Sequence, residues 1–156
     1  MFIENKEMTE KLDNRDPAIC DQIYSLFQRS YTIEAELLGM DEFPPLKRMA
    51  NDFQVSESDF YGSLEQGQLI ALIEVEKQDE NIHIASMLVH PDFFRQGLAQ
   101  NLLEYVQANR ALSKLTVDTA EKNEAACSLY RKMGFQEIKK WEVEPGISII
   151  RFEKRT

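Results

Sequence analysis

Cysteine is nearly missing from this chain: 156 residues contain two, Cys20 and Cys127, too few for a disulfide framework. With only two histidines, His83 and His90, no Cys/His spacing fits a zinc site, and no metal is expected. Such cysteine usage suits a reducing compartment, so a cytoplasmic location is expected. No stretch approaches the roughly 18 consecutive apolar residues of a membrane span. The N-terminal MFIENKEMTEKLD has no apolar signal core either, and the expectation is a soluble protein with no membrane partner. Positive charge is also in deficit, since 18 basic against 27 acidic residues leave a formal net charge of -9. A surface that tracks nucleic-acid phosphates is therefore not expected; attraction of cationic amines fits that balance, as does a plain solvated acidic surface. No repeat, low-complexity tract or Gly/Ser linker interrupts the chain. One domain over residues 1–156 is expected, because that length fits a single domain and 43% hydrophobic residues can fill one core.

What is present reads as a mixed, twisted α/β sheet flanked by helices. Asp16-Pro17 is an N-cap followed by proline at the first helical position, and Ile19, Ile23, Leu26, Phe27 and Leu37-Leu38 carry helical spacing to Gly39. Whether that helix is continuous through Tyr31-Thr32 stays open. The longest loops are expected around residues 41–45 and 51–58. Three short runs, Phe60–Glu65, Leu69–Lys77 and Ile82–Val89, separated by polar turns, predict an antiparallel meander. Leu98, Leu102, Leu103 and Val106 then recur at helical spacing, followed by a strand at Lys114–Asp118. Strand, helix, strand requires a crossover, so Ile82–Val89 and Leu115–Asp118 should run parallel. A second helix should begin at Asn123, whose amide can cap it, and stop at Gly134. Two last strands, about Gln136–Val143 and Ile147–Glu153, flank the turn Glu144-Pro145-Gly146.

The junction VHPDFFRQGLAQNLLEYV, Val89 to Val106, is where chemistry enters. A helix that starts directly after a strand leaves backbone N–H groups without intrahelical partners at the positive end of its macrodipole, which suits an anion such as phosphate. Gly97 removes a Cβ there, Ala99 is small, and Arg95 adds a cation. An ordinary packing turn is the competing reading. No Gly-Lys-Ser/Thr and no GxGxxG is present, which excludes a Walker loop and a dinucleotide fingerprint.

The stretch LVHPDFFRQGLAQNLLEYV resembles the acetyl-CoA-binding motif of the GNAT N-acetyltransferase superfamily, Gln/Arg-x-x-Gly-x-Gly/Ala after a strand. The segment NEAACSLYRKMGF, Asn123 to Phe135, is similar to that family's Asn-x-x-Ala-x-x-Leu-Tyr-x-Lys-x-Gly-Phe. The first polar position of the motif is Phe94 here. The resemblance implies the GNAT acyl-CoA N-acyltransferase fold and direct transfer of the acetyl group of acetyl-CoA to a primary amine. It also implies that homodimers occur in the family. The acceptor is expected to be a small molecule such as a polyamine, an amino sugar or an amino-acid derivative; a protein N-terminus, or a noncatalytic sensor of acyl-CoA or amines, are the alternatives. Acidic Glu34, Glu36, Asp41 and Glu42 would draw a cation or would simply be solvated.

By that resemblance, Met87, Leu88 and Val89 should pair with the pantetheine amides, with an N–H near Leu88 polarising the thioester carbonyl. The N–H groups of Arg95, Gln96, Gly97, Leu98 and Ala99 should hold the pyrophosphate, and Asn123 should hydrogen-bond the pantetheine. Tyr130 is the candidate general acid, although a tyrosine on an apolar helix face is otherwise a core residue. His83 is a candidate base, set against a surface histidine turned away from the cleft. Glu74 and Glu76 share one strand face, where an exposed carboxylate pair competes with a role in deprotonation. His90 is read as structural and Cys127 as buried.

Overall fold

In the computed structural model, residues 9–108 and 114–155 are described; residues 1–8 of the N-terminal stretch read above lie outside them. Asp16 starts the first helix, α1 (Pro17–Leu38), by accepting a hydrogen bond on Oδ1 from the Ala18 N–H at 3.0 Å. The helix runs unbroken through Tyr31-Thr32, where Thr32 Oγ1 donates back to the Gln28 carbonyl and so keeps its hydroxyl satisfied within the helix. A short strand, β1 (Thr9–Lys11), precedes it. Residues 44–47 form a 3-10 turn, and Ala50–Gln54 form a short helix, α2, where the sequence suggests only loop. The cause of that difference is tertiary: Phe53, fully buried, stacks against Phe27 and Phe60 and gives a segment too short for a periodicity signal its one anchor.

The meander is β2 (Asp59–Glu65), β3 (Gln68–Gln78) and β4 (Asn81–Val89), and the crossover helix is α3 (Leu98–Ala108). Then come β5 (Lys114–Ala120), α4 (Glu124–Lys132), β6 (Gln136–Glu144) and β7 (Ile147–Arg155). They build a seven-stranded sheet in the order β1-β2-β3-β4-β5-β7-β6, antiparallel except for β4 with β5. Its two faces carry separate cores. Ile82, Ile84, Leu115 and Val117 meet Leu98, Leu102, Leu103, Val106 and Tyr130 of α3 and α4 on one face. Leu72 and Leu88 meet Ile23, Leu26 and Phe27 of α1 on the other. A third group, Leu38, Ala120 and Ile147, joins the end of α1 to β5 and β7.

Candidate active site

The site begins with one extra residue in β4. Opposite β3, Glu74 faces Ser86 and Val75 faces Ile84, so Ala85 has no partner and forms a bulge. A bulge bends its strand and inverts the side-chain alternation beyond it. Ile82 and Ile84 point to the α3 face, whereas after Ala85 it is Met87 and Val89 that do, and Ser86 and Leu88 turn to the α1 side. The bulge is also where the sheet opens: β4 and β5 pair over Asn81–Ile84 with Lys114–Val117 and no further. Beyond that level the two strands are parted, and a strip of β4 main chain is left facing the gap.

Alternation decides which main-chain groups face it. The His90 N–H donates to the Ile70 carbonyl at 2.7 Å, which turns His90 and then Leu88 toward β3. Met87 and Val89 therefore direct their polar groups to the open side, and the Val89 carbonyl accepts a hydrogen bond from Ser30 Oγ at 2.9 Å. Of the three residues expected at the pantetheine, Leu88 thus turns its N–H to the β3 ladder, and its buried side chain joins the α1 core.

Helix α1 crosses the gap from one strand to the other. Ser30 touches the end of β4, Glu34 accepts a hydrogen bond from Asn123 Nδ2 at 3.1 Å, and Leu38 packs on Ala120 and Ile147. Those three residues are spaced four apart, so they lie along one helix stripe that spans about 12 Å at 1.5 Å per residue. Paired strands stand about 4.8 Å apart, so one helix stripe reaches both sides of the opening where the β4-β5 pairing has ended. On the other face Asn123 caps α4, its Oδ1 accepting from the Ala126 N–H at 3.1 Å while its amide donates to Glu34.

Two tyrosines and a carboxylate meet here. Tyr130, 3% exposed, is held by its ring against Phe135 and Phe152. Burial raises its pKa well above the ordinary phenol value, and the neighbouring Tyr31 and Glu34 oppose its ionisation further. Tyr31 is shifted upward for the same leading reason, with Glu34 adding to it and its hydrogen bond with Ser86 opposing it. Both phenols are thus held protonated. Burial also raises the pKa of Glu34, against the lowering effect of its Asn123 hydrogen bond.

Other predicted residues fall elsewhere. His83 lies in the paired stretch below the gap, its Nδ1 2.8 Å from Thr116 Oγ1 on the neighbouring strand. Glu74 and Glu76 do not form an exposed pair. Glu74 is 2% exposed, gripped by Arg48 through two hydrogen bonds of 2.7 and 3.0 Å and by Ser86 Oγ at 3.0 Å; Glu76 faces solvent. The Arg48 guanidinium lies over the Phe53 and Phe27 rings at 4.4 and 5.3 Å, which fixes it from behind. His90 is structural, its Nδ1 accepting from the Asp92 N–H at 3.1 Å. Glu36, Asp41 and Glu42 are exposed, and of the four acidic residues singled out only Glu34 turns inward.

At the strand-to-helix junction, Arg95 and Gly97 both hold left-handed backbone, with φ of 64° and 76°. Residues 95–97 are exposed, and a Cβ built on Gly97 would meet nothing within 4 Å. Helix α3 starts there, the Asn101 N–H bonding the Gly97 carbonyl at 3.0 Å, so the N–H groups of Leu98, Ala99 and Gln100 have no intrahelical acceptor. Phe94 is 49% exposed beside them. A pyrophosphate fits this cradle: open space over a glycine, unpaired N–H donors, a helix dipole and one arginine.

The family model for the acetyltransferase (GNAT) domain matches residues 31–156. The chain belongs to that family. This GNAT domain is 35% identical over 141 residues to UPF0157 protein YqkA of Bacillus subtilis (strain 168), covering 90% of the chain and 41% of that protein. It therefore spans about two fifths of that relative's length. The ribosomal-protein-S18-alanine N-acetyltransferase of Escherichia coli superposes with a TM-score of 0.74 at 21% identity, over 95% of this chain and 92% of that one. An aminoglycoside 6'-N-acetyltransferase complexed with coenzyme A has a TM-score of 0.74 at 13% identity, over 95% and 96% of the two chains. At those identities the two structures share the fold with this domain. Among the described residues, no helix is long and apolar enough to cross a membrane.

Ser30, Tyr31 and Glu34 of α1 and Ser86 of β4, with Arg48 behind Glu74, are residues of this region that motif reasoning did not select as site residues. For the three on α1 the signal is polarity on the inward stripe of an otherwise apolar helix, with the charge already noted for Glu34, and the bulge that brings Ser86 to them leaves no trace in the composition of β4.

Proposed function

We propose that this GNAT domain is an acetyl-CoA-dependent N-acetyltransferase that passes the acetyl group directly to a primary amine bound beside it. The parting of β4 from β5 next to the open α3 N-terminus carries the reading. Together they offer an anion cradle and, leading from it, a slot edged by β4 main chain that has left the β4-β5 ladder. The segment before residue 31 and the matched residues act as one domain.

Acetyl-CoA supplies an activated acetyl group as a thioester. The N–H groups of residues 95–99, with Arg95, take the pyrophosphate. Main-chain groups of Met87 and Val89 take the pantetheine amides, and their N–H groups are the donors for the carbonyl on which charge develops. Asn123 adds a hydrogen bond to the same arm. Tyr130, kept protonated by burial and by Glu34, gives its proton to the departing sulfur. His83, in the paired stretch, is left to brace β4 against β5 through Thr116.

A small cationic acceptor, such as a polyamine, an amino sugar or an amino-acid derivative, is favoured by the crossing of α1 over the slot. One structural neighbour is named for an acceptor on a ribosomal protein and another for an aminoglycoside, so the fold does not choose. Helix α1 spans the slot from Ser30 to Leu38 and turns Glu34 inward, which suits a small cation better than a folded protein.

The test is calorimetric titration with acetyl-CoA, followed by thiol release with spermidine, an aminoglycoside and a peptide beginning with alanine. Saturable binding and turnover with an amine are expected. Tyr130→Phe should keep binding and lose about 100-fold or more in rate. Binding with no turnover on any of the three would make the domain a sensor, and turnover on the peptide alone would reverse the acceptor class.

A further inference from the structure

We propose that Glu34 is the catalytic carboxylate of the acceptor site: it receives the amine as its ammonium and accepts the proton that the nitrogen must lose before attack. The inference rests on the acetyltransferase reading above and names the group that reading leaves unassigned.

Three observations meet at this residue. Glu34 sits at the middle of the stripe by which α1 crosses the parted strands, between the Ser30 contact with β4 and the Leu38 contact with β5 and β7. It is half-buried, and among the described residues no lysine, arginine or histidine forms an ion pair with it; its hydrogen bond comes from the neutral Asn123 amide. A carboxylate withdrawn from water without a cation is under-compensated, and a ligand cation is what relieves it. The neighbouring carboxylate shows the contrast, because Glu74 has both oxygens hydrogen-bonded and its charge already answered by the Arg48 guanidinium. Burial also makes Glu34 a stronger proton acceptor than a surface carboxylate, which supports the geometric argument.

The groups facing Glu34 suit the reaction. Tyr130 from α4 and Tyr31 from its own helix are both held as neutral phenols, so neither competes for the cation as an anion. The proton count closes in sequence. Glu34 takes one proton from the ammonium, and the freed nitrogen pair forms the N–C bond as the C–S bond breaks. The nitrogen sheds a second proton as it becomes the amide, the sulfur leaves as a thiol with the Tyr130 proton, and that second proton restores the phenol. Glu34 then releases its own proton to solvent. A neutral, cation-free carboxylate substitute cannot perform the first step, but every later one remains available.

That asymmetry defines the experiment, with n-butylamine as a probe that is an ammonium at neutral pH and hydroxylamine as one that is largely neutral there. Acetylation of both is measured for the native protein, Glu34→Gln and Glu34→Asp, with acetyl-CoA binding followed by calorimetry. Glu34→Gln should keep acetyl-CoA binding, lose about 100-fold in kcat/KM for butylamine, and lose far less for hydroxylamine. Glu34→Asp, which keeps the charge on a shorter arm, should restore part of the butylamine rate. Equal losses on both probes would reduce Glu34 to an anchor for Asn123 and overturn the proposal, as would no loss on either. Native protein that binds acetyl-CoA yet leaves butylamine at its solution rate would also overturn it. Failure of the native protein to bind acetyl-CoA at all would instead remove the acetyltransferase reading beneath it.

Discussion

Replacing Gly97 with alanine separates the two meanings a glycine can have at the strand-to-helix junction. Its φ is 76° and its surroundings are empty, so an added Cβ strains the backbone without striking any protein atom. Left-handed backbone costs an L-residue about 1–2 kcal/mol. Gly146, in the β6-β7 turn, is a built-in control, with φ of 81° and nothing within 4 Å. Gly97→Ala and Gly146→Ala should therefore lose similar stability, and a domain of this size should melt roughly 2–8 °C lower for 1–2 kcal/mol. Their effects on acetyl-CoA should differ. If the loop relieves its strain by leaving the left-handed region, binding must restore it, and 1–2 kcal/mol corresponds to about 5–30-fold weaker affinity. A Cβ that meets the phosphates adds to that figure. The assay is calorimetry on both variants beside thermal melting. Should Gly97→Ala bind acetyl-CoA as the native protein does while melting like Gly146→Ala, the glycine serves the turn alone and the cradle assignment fails.

Arg48→Ala should destabilise strongly, by about 3–5 kcal/mol, because it leaves the Glu74 carboxylate buried and unpaired. The double variant with Glu74→Gln should recover part of that loss in a denaturant titration; a double variant less stable than Arg48→Ala would refute the account. Glu34 offers a pH test. Its pKa is raised in the folded state above the ordinary carboxylate value, so the native protein binds the proton more tightly than the unfolded chain. Its contribution to stability is then most favourable below the unfolded pKa and is lost as pH rises through the folded one. Glu34→Gln should accordingly melt higher than the native protein at neutral pH, with the difference closing in acid below the ordinary carboxylate pKa. A difference independent of pH would exclude titration of Glu34 as its source.

Local patterns in the chain were enough to establish the order of elements. Asp16-Pro17 starts α1 because its carboxylate can reach the first free N–H groups, and the 98, 102, 103, 106 spacing buries its whole stripe in α3. The crossover rule then sets β4 parallel to β5, and the two motif segments identify the strand-to-helix turn and the α4 start that the family match covers. Each of these is short-range physics, in which a residue's role depends on neighbours a few positions away. The gap itself is different. Ala85 is an unremarkable strand residue, and its bulge sets Ser86 opposite Glu74, which is held in turn by Arg48, a guanidinium 26 positions from Glu74 in the chain. Leu88 illustrates the consequence, since one inserted residue exchanges which of its neighbours present polar groups to the slot. In the sequence Glu34 reads equally as a draw for a cation or as a solvated helix acid, and only the passage of α1 across parted strands encloses it with Asn123, 89 positions away. Local pattern thus determined what the elements are and in what order they come; long-range contacts alone decided which backbone edge opens and which carboxylate is carried into the opening.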